Sequence, residues 1–209
     1  MSELRIESVS EPFDEPASAA TVLQLFARAE TMGLIPETIA RQDAITIDHL
    51  TVRRLLKHLR EAGLASASSL RLPGAQPDEV SLVLLEALDA LDASPYPQGE
   101  WDVLREIVGD RLLARMLRVS ESSIRRYTAG GRRTPDEVAW RLHAIGGIVS
   151  ALRGSYNEYG VRRWFDRPRS ALDGRTPADV IATTGSEDEE GFERVVALAD
   201  ELVGAGAAA

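Results

Sequence analysis

The chain has 209 residues, 44% of them apolar, and a formal charge of −9 at pH 7; it is long enough for one large or two small packed domains and too apolar for global disorder. It contains no cysteine, which excludes disulfides, thiolate metal sites and a cysteine nucleophile. No basic-plus-apolar segment opens it and no run of about 18 apolar residues occurs, so the expectation is a cytoplasmic protein with no membrane partner.

Residues 1–18 are rich in Ser, Glu and Pro and are predicted to form a flexible tail. Residues 19–95 read as an N-terminal helical domain of unknown role. In it, Val22, Leu25, Phe26 and Ala29 share one helix face, with Gly33 as a stop. Val52, Leu55, Leu56 and Leu59 follow the i, i+3, i+4, i+7 pattern, with Gly63 past the end. The exposed side of that second helix carries Arg53, Arg54, Lys57 and Arg60, and Thr51–Leu64 is similar to the recognition helix of winged-helix regulators. No clear pair of wing strands follows, so a solvated amphipathic face is the simpler reading. Val80, Val83, Leu84, Ala87, Leu88 and Leu91 mark a strongly apolar helix opened by Pro77, Asp78 and Glu79.

Ser94-Pro95-Tyr96-Pro97 breaks the pattern and is the expected domain boundary. Residues 96–152 then read as a helix-turn-helix region and residues 153–209 as a small helical domain. Trp101, Leu104 and Ile107 suit a short helix, and Leu112–Leu117 and Ser120–Tyr127 suit two more. Thr134-Pro135-Asp136-Glu137 predicts a helix start with Thr134 as N-cap. Val138, Leu142, Ile145, Val149 and Leu152 form a seam that suits a two-helix interface, although packing on its own domain is the simpler reading. Thr176-Pro177 opens a short helix. Phe192, Val195, Val196, Ala199 and Leu202 mark a last one, and the Gly204–Ala209 ending is expected to be disordered. No strand pattern and no internal repeat is evident. The fold class is therefore all-α.

Charge is unevenly spread. Residues 111–169 hold 13 arginines against five carboxylates, a local balance of +8, which leaves −17 for the rest. This basic stretch contains RLLARMLRVSESSIRRYTAG, from Arg111 to Gly130. Ala114 is the small residue that a close helix crossing needs. Leu113, Leu117, Val119, Ile124 and Tyr127 face inward, and Ser120 is the expected N-cap of the second helix. Arg118 occupies the turn position where positive φ favours Gly, at a cost of about 1 kcal/mol. A second helix with Ser122, Ser123, Arg125 and Arg126 outward, flanked by Arg118, Arg132 and Arg133, has the residue types that contact phosphates and base edges. Duplex DNA is the expected partner of these seven residues.

Residues 113–202 resemble the Xre/MbcA/ParS family of antitoxins, the partners of RES-domain toxins. The resemblance is carried by LARMLRVSESSIRRYTAGGRRTPDEVAWRLHAIGGIV, then YGVRRWF, then RPRSALDGRTPADVI. Trp164, Pro168, Ala171, Leu172, Gly174, Arg175, Thr176 and Pro177 match the characteristic run, while Asp173 stands where the first Gly is usual. The resemblance implies a toxin-binding domain at 153–209, with Asp173, Gly174, Arg175, Thr176 and Pro177 as toxin-binding residues. It implies a RES-type, NAD-consuming toxin as partner, neutralised without catalysis by this chain, and repression of its own promoter. Arg175 is expected to pair with Asp173 or Asp179, or to dock on the partner. The acidic run Ser186–Glu190 lengthens the loop before the last helix, and the Gly-Ala tail is small enough to enter a toxin's cleft.

Catalytic and metal readings are weak. His49, His58 and His143 lack metal-like spacing, and no glycine-rich phosphate loop occurs. No catalytic residue, metal or cofactor is expected. A helix-turn-helix reads only a short half-site, so a homodimer or higher even oligomer is expected. The competing function is a stand-alone transcription regulator of the same fold without a toxin partner.

Overall fold

A computed structural model describes residues 4–64, 77–183 and 189–206. Among them are eleven α-helices, one 3-10 turn and a two-stranded sheet, so the chain is mainly α-helical. It divides into two compact units, residues 1–95 and 96–209.

The first unit runs β1 (Ile6–Val9), α1 (Pro16–Thr31), α2 (Glu37–Ala40), β2 (Ile45–Ile47), α3 (His49–Glu61) and α4 (Pro77–Asp92). Helices α1 and α4 pack together, burying Val22, Leu25, Phe26 and Ala29 against an apolar face with Val80, Leu84 and Leu91. Arg28 Nε reaches Asp92 across this pair at 2.8 Å. Helix α3 starts where the Asp48 carboxylate accepts the Thr51 amide at 2.7 Å, a bond that holds the Asp48 pKa below its usual value. Gly63, at φ 78°, ends it in the left-handed conformation that glycine tolerates.

Residues 4–18 do not form the expected tail. Ile6–Val9 pairs in parallel with Ile45–Ile47, Phe13 is fully buried and Pro16 opens α1. The sheet escapes a periodicity reading because strands of four and three residues contain too few alternations to stand out.

The second unit contains α5 (Pro97–Val108), α6 (Asp110–Leu117), α7 (Glu121–Thr128), α8 (Asp136–Arg153), α9 (Glu158–Asp166), a 3-10 turn (Ser170–Leu172), α10 (Pro177–Thr183) and α11 (Glu189–Gly206). They surround one apolar core in which Trp101, Leu113, Ile124, Leu142, Ile145 and Val149 meet Trp164, Phe165, Leu172, Ile181 and Val195. The stretches 96–152 and 153–209 thus share a single interior. The seam of α8 turns into it: Leu142, Ile145, Val149 and Leu152 are buried and Val138 is half-buried against them.

Two local expectations are corrected. Thr134 does not cap α8; Pro135 holds the N-cap position without a side-chain bond, and the Thr134 hydroxyl accepts Trp101 Nε1 at 2.9 Å instead. The buried indole needs a partner for its N–H, and that need outcompetes the cap. Residues 204–206 continue α11 rather than starting a disordered tail; Ala207–Ala209, like residues 184–188 of the acidic loop, lie outside the described residues.

Candidate functional site

The basic sequence folds into α6 and α7, two eight-residue helices joined through Arg118, Val119 and Ser120. Arg118 adopts φ 56°, ψ 38°, the left-handed conformation its position predicts. Ser120 caps α7, its Oγ accepting the Ser123 amide at 3.1 Å and bonding the Ser122 and Ser123 hydroxyls at 2.8 and 2.9 Å. Leu113, Met116, Leu117, Ile124 and Tyr127 are buried between the pair and the core. Relieving the left-handed strain is worth about 1 kcal/mol. Arg118→Gly is therefore expected to raise the unfolding midpoint by a few degrees; a lowered midpoint in calorimetry would count against a strained turn.

The candidate DNA-contacting residues sit on and beside this pair. Arg118, Ser122, Arg125 and Arg126 are exposed and Ser123 is half-buried. Arg126 folds back on its own helix, Nε donating to the Ser122 carbonyl at 3.3 Å. Arg132 lies over the Tyr127 ring at 5.8 Å, and Arg133 pairs with Asp136 at 2.9 Å in full solvent. Such an exposed pair contributes little and releases its arginine readily.

The frame beneath α7 comes from residues that sequence reasoning passed over. Trp101 stacks on Tyr127 at 5.7 Å between centroids and so ties α7 to α5. Arg105 forks onto Asp110, the first residue of α6, at 2.7 and 3.1 Å; this bond chiefly lowers the Asp110 pKa and raises that of Arg105. Glu100 and His143 form a buried hydrogen-bonded pair linking α5 to α8. Arg162, from α9, donates to the carbonyls of Glu106 and Ile107 at 2.7 and 2.6 Å, closing the end of α5. Arg115 of α6 meets Asp166 of α9, and α10 packs against α6. Glu100 and His143 are 43 residues apart, so only a histidine on an apolar helix face hinted at the pair.

The Asp173–Pro177 run is a compact turn. The Arg169 amide donates to the Arg175 carbonyl and the Gly174 amide to the Arg169 carbonyl, both at 3.0 Å. Asp173 adopts φ 57° and Gly174 φ 79°. Asp tolerates the left-handed region better than most residues, which accounts for its standing at a position where Gly is usual. Its carboxylate accepts Arg194 Nη2 of α11 at 2.9 Å. Arg175 pairs with neither Asp173 nor Asp179; it donates to the Asp179 carbonyl at 3.1 Å and to the Thr183 hydroxyl. The reason is that Asp173 is taken by Arg194, while the Asp179 carboxylate accepts the Thr176 hydroxyl at 2.6 Å. Thr176 caps α10 by accepting the Asp179 amide at 3.1 Å. Pro177 is buried, so the outward-facing members of the run are Asp173, Gly174 and Arg175.

No group of three or more His, Asp or Glu suited to a metal occurs among the described residues, and no helix among them is long and apolar enough to cross a membrane. The second unit is defined by two surface elements on one core: a basic two-helix corner and a charged turn between α9 and α10.

Residues 156–202 match the family model described as the antitoxin Xre/MbcA/ParS C-terminal toxin-binding domain. The match runs from the residue before the α9 cap, through the 3-10 turn and α10, into α11, and it supports an antitoxin role for the chain. No curated protein and no solved structure matches the chain.

Proposed function

We propose that the chain is the antitoxin of a type II toxin-antitoxin system, carrying no catalysis of its own and acting in the cytoplasm. The observation that carries this reading is the match of residues 156–202 to a toxin-binding domain. The partner is a RES-type, NAD-consuming toxin, held through the turn at Asp173, Gly174 and Arg175. The α6–α7 pair is a helix-turn-helix that binds promoter DNA for autoregulation. That arm is supported by the capped second helix with Arg125 and Arg126 outward and by the left-handed turn at Arg118. The chain acts as a two-fold dimer, because one such pair reads only a short half-site.

Co-expression with the product of the neighbouring gene tests both arms. The wild-type chain is expected to co-purify with that toxin and to restore growth. Arg125→Ala/Arg126→Ala should still restore growth, yet forfeit about 1–3 kcal/mol of promoter affinity for each base-reading side chain removed. Asp173→Asn/Arg175→Gln should weaken rescue and leave promoter binding intact. Failure of any neighbouring toxin to co-purify with the full chain would refute the antitoxin reading and favour a stand-alone regulator.

A further inference from the structure

Helix α3 of the first unit has no role in the function proposed above. Its inner face is complete: Val52, Leu55, Leu56 and Leu59 are all fully buried. Its outer face carries Arg53, Arg54, Lys57 and Arg60, every one exposed. Lys57 is paired with Glu61 at 3.6 Å, whereas Arg53, Arg54 and Arg60 have no ion-pair or hydrogen-bond partner among the described residues.

That isolation is unexpected for the unit. Residues 1–95 hold 15 carboxylates against eight Lys and Arg. Elsewhere in the unit Arg28 is paired with Asp92 and Arg41 with Glu37. Acids outnumber bases almost two to one, yet the three arginines of α3 pair with none of those among the described residues. Such segregation maintains a local positive potential that neighbouring carboxylates would otherwise cancel.

We infer that the exposed face of α3 is a second nucleic-acid contact, binding the phosphate backbone of duplex DNA without reading sequence. From Arg53 to Arg60 the face spans about 10 Å of helix axis, and over that length a duplex presents about six phosphate charges. Guanidinium groups suit phosphate oxygens through paired, planar hydrogen bonds. An acidic protein surface fits less well. Protein interfaces centre on buried apolar or aromatic anchors, and the one large apolar side chain exposed on α3 is Leu50, at its N-terminal end. The contact does not require α7 to read bases.

The test uses the full-length chain and two labelled duplexes of equal length, one from upstream of its own gene and one scrambled, titrated over a range of salt. Every phosphate that the protein ceases to neutralise makes the slope of log K against log salt shallower by about 0.9. Arg53→Gln/Arg54→Gln/Arg60→Gln is expected to weaken binding to both duplexes equally and to flatten the slope by up to about 2.7. The corresponding triple Lys variant should retain most of the slope, which separates loss of charge from misfolding. Arg125→Ala/Arg126→Ala should erase discrimination between the duplexes and leave the α3-dependent component. Equal binding of both duplexes by the wild type, with the α3 slope intact, would refute the α7 reading alone. An unchanged slope in the Gln variant overturns the α3 contact. So does a Gln variant that binds DNA normally but no longer co-purifies with the toxin, which would assign the face to an acidic protein.

Discussion

A chain ended at Arg153 is expected to lose its α7-dependent discrimination between DNA sequences along with partner binding, because the α6–α7 corner will not fold without the residues that follow. Truncation removes Val161, Trp164, Phe165, Leu172, Ile181 and Val195 from the core that also contains Leu113, Ile124, Leu142 and Val149. Losing one buried Phe or Trp side chain to alanine already costs about 3–5 kcal/mol, against a total stability of about 5–15 kcal/mol for a domain. The truncation also strips the Arg162 bonds from the end of α5 and the Asp166 partner from Arg115. Comparing residues 1–153 with the full chain by hydrogen exchange is the direct check. Amides of α6 and α7 should exchange freely in the shorter chain; equal protection in both would show that residues 96–153 form a domain by themselves. The same reasoning makes point substitutions, not deletions, the valid way to separate the two proposed activities.

His143→Ala should destabilise the second unit more than most cavity-forming substitutions of that size. Glu100 is fully buried, and its Oε2 has no hydrogen-bond partner among the described residues. Its Oε1 is bonded to His143 Nδ1. Removing the imidazole leaves a carboxyl group in an apolar interior with no partner, at a cost of about 3–5 kcal/mol. For a unit of this size that corresponds to a fall in unfolding midpoint on the order of 10 °C or more. Replacing both partners, as Glu100→Met/His143→Leu, should recover most of the loss, since apolar side chains of similar volume need no hydrogen bond. Thermal unfolding of the wild type, the single variant and the double variant decides it. A single-variant loss below about 1 kcal/mol would mean that the pair contributes nothing beyond its volume.

What was legible in the sequence follows from the range of the interactions. The periodic faces of α1, α3 and α4 and the apolar seam of α8 are local patterns, and each forms a helix with that face buried. The Ser120 cap and the left-handed Arg118 were equally readable, the first from a capping residue type and the second from its place in the turn between two helices. The two Thr-Pro starts show where local reading stops. Thr176 caps its helix as the motif predicts, yet Thr134 is diverted to an indole 33 residues away. Arg175 was misassigned for a related reason: the competition of Arg194 for Asp173 is set by the packing of α11, which no spacing records. The strands β1 and β2 are short and 38 residues apart, so neither declares itself without the other.

The aromatic residues divide the molecule optically. All three tryptophans (101, 140 and 164) and all four tyrosines (96, 127, 156 and 159) belong to residues 96–209, whereas residues 1–95 contain only Phe13 and Phe26. Tryptophan emission from the native chain therefore reports the second unit alone, while far-ultraviolet circular dichroism reports the helices of both. The three indoles differ in environment: Trp101 lies stacked on Tyr127, Trp164 sits beneath the Arg169 guanidinium, and Trp140 is 52% exposed. A soluble quencher reaches Trp140 first, which leaves the buried Trp101, stacked on the Tyr127 ring, as a native gauge of whether α7 is docked. A melt that changes the dichroism before the emission is the N-terminal unit unfolding by itself, visible without any attached label.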